Sequence, residues 1–382
     1  MKRVFTVVLV MIALAVLPFQ VSAAGPQVEG KSSVLMDVET GTVLQEHNAH
    51  EPLAPASVTK IMTMLLIMEA VDSGKIAMTD TVAASETASA KGGSQIYLKA
   101  GETMTVSDML KSIAVSSAND CACAMAEHLA GSEEAFVEQM NAKAVELGMA
   151  NTHFVNCTGL DDDPEAAKHR TSAYDIAIMS RELMKNHPDI RKFTTIWMDT
   201  VRSGTFGLSN TNKLVRFYQG ATGLKTGFTS GAGYCLSATA EREGMELIAV
   251  VMGADTSAGR NTACKQLLDY GFANYAVIRP ELPDPEPVAV NLGKKGTVEA
   301  VPAQLQGILL DKAQKASVTM ELSVADGVDA PVSQGQRLGT LTVKSGDQVL
   351  QEIPLVASEA VERLSYWDLF GKVMKKAAMG KA

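Results

Sequence analysis

The hydrophobic pattern changes period along the chain, and those changes mark its elements. In SSVLMDVETGTVLQEH (32–47) two β-rich runs flank a Thr40-Gly41 turn, which predicts a hairpin. Helical patterns follow. SVTKIMTMLLIMEAVDSG (57–74) is a nearly all-apolar helix closed by Gly74. TVSDMLKSIAV (105–115), NDCACAMAEHLAG (119–131) and SEEAFVEQMNAKAVELG (132–148) come next, the last two ending at glycine. Ser172 caps AYDIAIMSRELMKN (173–186), with Pro188 beyond its end. Strands return as GYCLSATAE (233–241) and MELIAVVMG (245–253), joined by an Arg242-Glu243-Gly244 turn, before the helix AGRNTACKQLLDYGFANY (258–275).

Outer strands around a helical middle predict a sheet packed by helices, an α/β (α+β) enzyme domain over 24–279. Pro280, Pro283, Pro285 and Pro287 then make 280–287 an extended linker. Beyond it, QKASVTMELSVADG (314–327) and RLGTLTVKSGDQVLQEIPLV (337–356) alternate like exposed strands around turns, so a small β-sandwich-like domain is expected over 288–358.

The two ends carry addresses. Lys2 and Arg3 precede the apolar run Val4 to Phe19 and the small residues Val21-Ser22-Ala23, the pattern of a secretory signal peptide (1–23) cleaved after Ala23 or Ala24. The run is short for an uncleaved membrane anchor, the alternative. At the other end a helix would put Tyr366, Trp367, Phe370, Val373, Met374 and Ala377 on one face and Asp368, Lys372, Lys375 and Lys376 opposite. Residues 359–382 are therefore expected to lie in a membrane interface, the alternative being a terminal helix packed on its own domain. Together the ends predict a secreted, extracytoplasmic protein attached peripherally to the outer face of the cytoplasmic membrane.

Composition narrows the classes further. With 382 residues, 46% hydrophobic and 20% charged, and a net charge of -9, the chain reads as globular with about two domains. It has no basic run, so nucleic acid is not expected as a partner. Five cysteines, at 121, 123, 157, 235 and 264, have apolar neighbours and an odd count, which reads as buried thiols rather than a disulfide framework. Neither a metal nor another cofactor is expected.

Three short motifs carry candidate chemistry. In APASVTK (54–60), Ser57 and Lys60 are one helical turn apart, so the hydroxyl and amine can meet on one face. A serine nucleophile needs a base, and a lysine serves if burial makes it neutral. Alone, S-x-x-K is a common chance match, but a lysine at the head of an apolar helix needs a partner or a function. SSAND (116–120) breaks two helical patterns and either points a hydroxyl and an amide into a cleft or merely caps a helix. GATGLKTGFTSG (220–231) resembles a phosphate loop, yet Leu224 displaces Lys225 from the last glycine by one residue. Lys225-Thr226-Gly227 is otherwise a surface turn, and Lys344-Ser345-Gly346 fits the same pattern in an evident hairpin turn.

S-x-x-K, S-x-N and K-T-G, in that order on one domain, resemble the penicillin-binding proteins and serine β-lactamases. ASVTKIMT, SSANDCACAMAEHLAGSEEAFVEQMN, GLKTGFTSGAGYCLSATA and GADTSAGRNTACKQLLDYGF look like the blocks of D-alanyl-D-alanine carboxypeptidases, the low-molecular-weight penicillin-binding proteins. The resemblance spans about residues 28–275 and implies an antiparallel sheet packed by helices, followed by a small β-domain and an amphipathic tail.

It also implies roles. Ser57 would form the acyl-enzyme and Lys60 would take its proton. Ser117 would relay the proton to the leaving D-alanine, Asn119 would position peptide and Lys60, and Lys225 would keep Lys60 neutral and bind substrate. Gly227 would keep the strand edge clear, and the backbone amides of Ser57 and Phe228 would hold the oxyanion. Many relatives have histidine where Phe228 stands. Thr226, Thr229 and Arg260 would receive the terminal carboxylate. The implied partners are peptidoglycan stem peptides ending in D-Ala-D-Ala and β-lactams as covalent inhibitors. A D,D-endopeptidase and a serine β-lactamase remain alternatives on the same residues. Asp161, Asp162, Asp163 and Glu165 read as a solvated loop rather than a β-lactamase carboxylate motif. A non-catalytic wall-binding or β-lactam-sensing module is the alternative of another class.

Overall fold

The computed structural model describes residues 25–162, 165–280, 286–304 and 306–379. The expected signal peptide, the linker prolines Pro283 and Pro285, Asp163 and the last three residues of the tail lie outside the described residues.

The expected hairpin forms from β1 (Ser32–Asp37) and β2 (Val43–His47), and Asp37 Oδ1 closes its turn by accepting from the Thr40 amide and hydroxyl, both at 2.7 Å. With β3 (Ala221–Thr229), β4 (Gly233–Arg242) and β5 (Met245–Ala254) they make a five-stranded antiparallel sheet in the order β2-β1-β5-β4-β3. Every residue of β5 is buried because both faces are covered. Ile248, Val250 and Met252 face a helical layer, while Leu247, Ala249 and Val251 face the helix α6 (Ser257–Asn274).

The helical layer holds α1 (Lys60–Asp72), α2 (Val106–Ser116), α3 (Asn119–Ala130), α4 (Glu133–Glu146) and α5 (Ala173–Asn186). Thr105, Ser132 and Ser172 start α2, α4 and α5 by accepting from an amide three residues on. The apolar α1 sits among the others, with Ile61, Met64, Leu65 and Met68 wholly buried, so its lack of a polar face reflects a central position. All five cysteines are free and buried, as expected.

Two features depart from the sequence reading. Residues 221–229 form the edge strand β3, not a surface turn before a strand pair, although the segment carries two glycines, Gly223 and Gly227. After the helix expected to close the first domain, Tyr275–Ile278 forms a strand that the sequence reading does not predict, and it pairs antiparallel with Ile308–Asp311 of the following β-rich region.

That β-rich region has a core of its own, including Val288, Val290, Leu338, Leu341, Val343, Ile353 and Leu355. Its four-stranded sheet contains the hairpin of Arg337–Ser345 and Gln348–Ala357. Lys344-Ser345-Gly346 lies at that hairpin's turn, with Lys344 2.5 Å from Glu321. The tail is the helix α7 (Tyr366–Met379), and Tyr366, Trp367, Phe370, Val373 and Met374 are all exposed on it; the side chain of Ala377 is outside the description.

Candidate active site

Ser57 lies in a single 3₁₀ turn, Ala56–Thr59, that leads into α1, and is half-buried. Lys60 begins α1 and has no exposed surface. Its Nζ is 3.0 Å from Ser57 Oγ and donates to the Thr158 carbonyl at 2.8 Å. Burial lowers its pKa to about 7, against the opposing fields of Cys157 and Asp120. The amine can therefore exist as a neutral base beside the hydroxyl it would deprotonate.

The second motif fills the junction between α2 and α3. Ser117 ends α2 in the left-handed region, φ 62°, which is costly for a residue with a side chain. Ala118, not Ser117 or Asn119, occupies the N-cap position of α3, and it makes no side-chain cap bond. The motif is thus not a helix cap. Asn119 Nδ2 donates to the Gly92 carbonyl at 2.7 Å, while Ser117 Oγ and Asn119 Oδ1 are buried with no hydrogen-bond partner among the described residues. Two buried polar atoms left without a partner among the described residues are what a site built for a polar ligand presents.

Lys225 is buried on β3 and donates from Nζ to the Thr226 carbonyl at 2.9 Å. Its pKa falls well below the ordinary lysine value, first through burial and then through the charges of Lys60 and Arg260. The sequence predicts Lys225 to be the charge that keeps Lys60 neutral. In the structure burial leads at both amines; the charge of Lys60 then lowers Lys225 further, whereas the other fields on Lys60, from Cys157 and Asp120, oppose the fall.

Gly227 is where β3 meets the Ser57 turn: a Cβ there would stand 2.7 Å from the Pro55 carbonyl and 3.0 Å from Ser57 N. The close approach that needs glycine is thus made by the chain's own Ser57 turn. Phe228 is exposed, its ring stacked 4.3 Å from Tyr234. Thr226 Oγ1 donates to Thr211 Oγ1 at 2.7 Å, and Thr229 Oγ1 accepts from Ala232 N at 3.1 Å. Arg260 is buried behind β3, where its Nη1 donates to the carbonyls of Gly227 (3.1 Å) and Cys235 (3.3 Å). Arg242 lies elsewhere, over the rings of Tyr218 and Phe272.

Sequence reasoning missed the 155–160 loop. Asn156 Oδ1 accepts from Thr158 N (3.2 Å) and Gly159 N (2.7 Å), a turn that presents the Thr158 carbonyl to Lys60. Gly159, φ 80°, packs against the Ala56 carbonyl so closely that a Cβ would come within 1.8 Å of it. The N-x-x-G spacing in NCTG signals the turn, but nothing in it points to Lys60. Asp161, Asp162 and Glu165 are exposed, as expected of a solvated loop.

Residues 19–256 match the D-alanyl-D-alanine carboxypeptidase family, Peptidase S11. The chain belongs to that family. The carboxypeptidase also matches the C-terminal domain of penicillin-binding protein 5 over residues 283–363. It is 46% identical over 353 residues to the D-alanyl-D-alanine carboxypeptidase DacF of Bacillus subtilis, covering 91% of this chain and 89% of that one. Its fold is similar to that of penicillin binding protein 5 from Haemophilus influenzae, with a TM-score of 0.74, 30% identity, and coverage of 88% of this chain and 99% of the other. Penicillin-binding protein D2 of Listeria monocytogenes, solved in an ampicillin-bound form, matches 65% of this chain and 100% of its own with a TM-score of 0.59 and 32% identity. The carboxypeptidase is thus a serine-type peptidase of peptidoglycan metabolism and a low-molecular-weight penicillin-binding protein. Among its described residues no helix is long and apolar enough to cross a membrane.

Proposed function

We propose that the carboxypeptidase removes the terminal D-alanine of peptidoglycan stem peptides through an acyl-enzyme on Ser57. The observation that carries this is the 3.0 Å approach of the buried Lys60 amine to Ser57 Oγ. Neutral Lys60 takes the hydroxyl proton as Oγ attacks the carbonyl of the D-Ala-D-Ala bond. The tetrahedral oxyanion is held by the amides of Ser57 and Phe228. Ser117, whose hydroxyl has no partner among the described residues, passes the proton to the leaving amine, and Asn119 Oδ1, likewise without a partner there, accepts from a substrate amide. The substrate lies along the open edge of β3, where backbone groups of an extended peptide can pair with the strand.

Lys225, Thr226 and Thr229 line the end that receives the carboxylate. Arg260, through its bond to the Gly227 carbonyl, contributes positive potential from behind the strand. β-Lactams acylate Ser57 by the same attack. Penicillin labelling that persists in Ser57→Ala would overturn this reading; labelling confined to the wild type supports it.

The exposed aromatic face of α7, including Trp367 and Phe370, supports attachment of residues 359–382 to a membrane surface. The N-terminal pattern of a signal peptide supports the same reading, an enzyme on the outer face of the cytoplasmic membrane. The domain limits follow the same reading: a peptidase unit over 24–279, a linker at 280–287, a β-domain over 288–358 and the tail.

A further inference from the structure

His169 comes from a stretch to which the sequence assigns no chemistry, yet its ring is buried, and both of its nitrogens meet parts of the site. Nδ1 lies 3.1 Å from Val155 N. An amide N–H only donates, so Nδ1 is the acceptor and the neutral ring carries its proton on Nε2. Nε2 is 2.8 Å from Thr59 Oγ1 and therefore donates to it. The Thr59 hydroxyl in turn donates to the Ala56 carbonyl, also at 2.8 Å. The direction of every link in this relay is fixed.

The end of the relay matters because the Ala56 carbonyl and the Ser57 N–H are opposite ends of one planar peptide unit. Holding the carbonyl sets the direction of the amide. Ala56 has φ 49°, a left-handed conformation that a residue with a Cβ rarely adopts unaided, so the plane needs outside support. Serine and threonine near a helix start often bond a carbonyl three residues back. Here the imidazole proton occupies the Thr59 oxygen and leaves its own hydrogen directed at Ala56. The other face of the ring's work is at Val155, at the head of the loop whose Thr158 carbonyl receives Lys60.

We propose that His169, acting through Thr59, is a positioning residue that fixes the plane of the Ala56–Ser57 peptide and so aims the Ser57 N–H at the oxyanion. The inference rests on the reading of Ser57 as the nucleophile. A misaimed amide weakens the transition state while leaving substrate docking along β3 unchanged, so the effect belongs in the acylation rate and kcat, not in KM.

The test compares wild type, Thr59→Val, His169→Asn, His169→Gln and the double variant Thr59→Val/His169→Asn. The readouts are the rate constant for acylation by a fluorescent penicillin, and kcat and KM for a D-Ala-D-Ala peptide. Asparagine keeps an acceptor for Val155 but no donor reaching Thr59; glutamine keeps a donor at the Nε2 position. Thr59→Val and His169→Asn are each expected to slow acylation and kcat about 10-fold with KM within about twofold. The double variant is expected to be no slower than the slower single one, and His169→Gln to be faster than His169→Asn. Unchanged rates, a rise in KM alone, losses that multiply, or a glutamine no better than asparagine would overturn the proposal. Thr59→Val, which preserves shape and leaves Val155 untouched, decides the question if the His169 variants do not fold. A wild type that penicillin fails to label would instead remove the Ser57 reading, and this inference with it.

Discussion

Lys60 Nζ and the Thr158 carbonyl are 98 positions apart in sequence and 2.8 Å apart in space. That bond holds the amine by one hydrogen while leaving it 3.0 Å from Ser57 Oγ, in a place where burial favours the neutral form. The arrangement has a pH signature. Because the pKa is lowered to about 7, the amine is a free base above that value and an ammonium below it. Acylation of Ser57 is therefore expected to rise with pH through about 7, falling roughly tenfold per unit on the acid side and levelling off on the alkaline side. A penicillin acylation profile checks this; a rate independent of pH from 5 to 9 would contradict it. Lys60→Arg, whose guanidinium keeps its proton, is expected to lose about 10³-fold or more.

Ser117 separates function from stability. Its hydroxyl is buried with no partner among the described residues, so removing it breaks no hydrogen bond there. Ser117→Ala is expected to keep or slightly raise the melting temperature while kcat for a D-Ala-D-Ala peptide falls about 10²-fold, the range for loss of a proton-transfer group. A variant that melts well below wild type would mean the hydroxyl is structural.

Gly159 and Gly101 both have positive φ, 80° and 78°, but only Gly159 is crowded. A Cβ at Gly159 meets the Ala56 carbonyl at 1.8 Å, whereas one at Gly101 meets nothing within 4 Å. Gly101→Ala is expected to cost about 1 kcal/mol of stability from backbone strain alone. Gly159→Ala should cost about 3 kcal/mol or more and slow penicillin acylation, because the clash displaces the turn that carries Ser57. Chemical denaturation of the two variants gives the comparison, and equal losses would count against it.

For the tail, deleting residues 359–382 is expected to release the enzyme from anionic lipid vesicles with peptide hydrolysis intact. Trp367→Ser with Phe370→Ser should weaken partitioning in the full chain, since both rings are exposed on α7. Unchanged sedimentation with vesicles would argue for a helix with another role.

Local chemistry explains which elements could be read in advance. Thr105, Ser132 and Ser172 cap helices from their own sequence neighbourhoods, and the left-handed Gly74, Gly131 and Gly148 stand just past helix ends. The strand β3 was harder because GATGLKTGFT is rich in turn-formers; it is extended because β4 pairs with it along its length. Membership in a sheet is a long-range property that propensity does not encode. The same holds for Tyr275–Ile278, whose partner strand lies beyond the proline-rich segment.

Within the site, Ser57 and Lys60 were legible because one helical turn joins them, and the order of the three motifs drew Ser117 and Lys225 into the same picture. Thr158, Gly159 and His169 were not. Their contributions are a carbonyl, an absent Cβ and a buried tautomer, none of which has a residue-type pattern. The sequence by itself determined the periodicities, the caps and the reactive groups, since these depend on neighbours within a few residues. Only the tertiary structure decided which carbonyl holds Lys60, which glycines meet the Ser57 turn and which way the Ala56–Ser57 peptide faces, because each is set by atoms brought together from distant parts of the chain as the core closes.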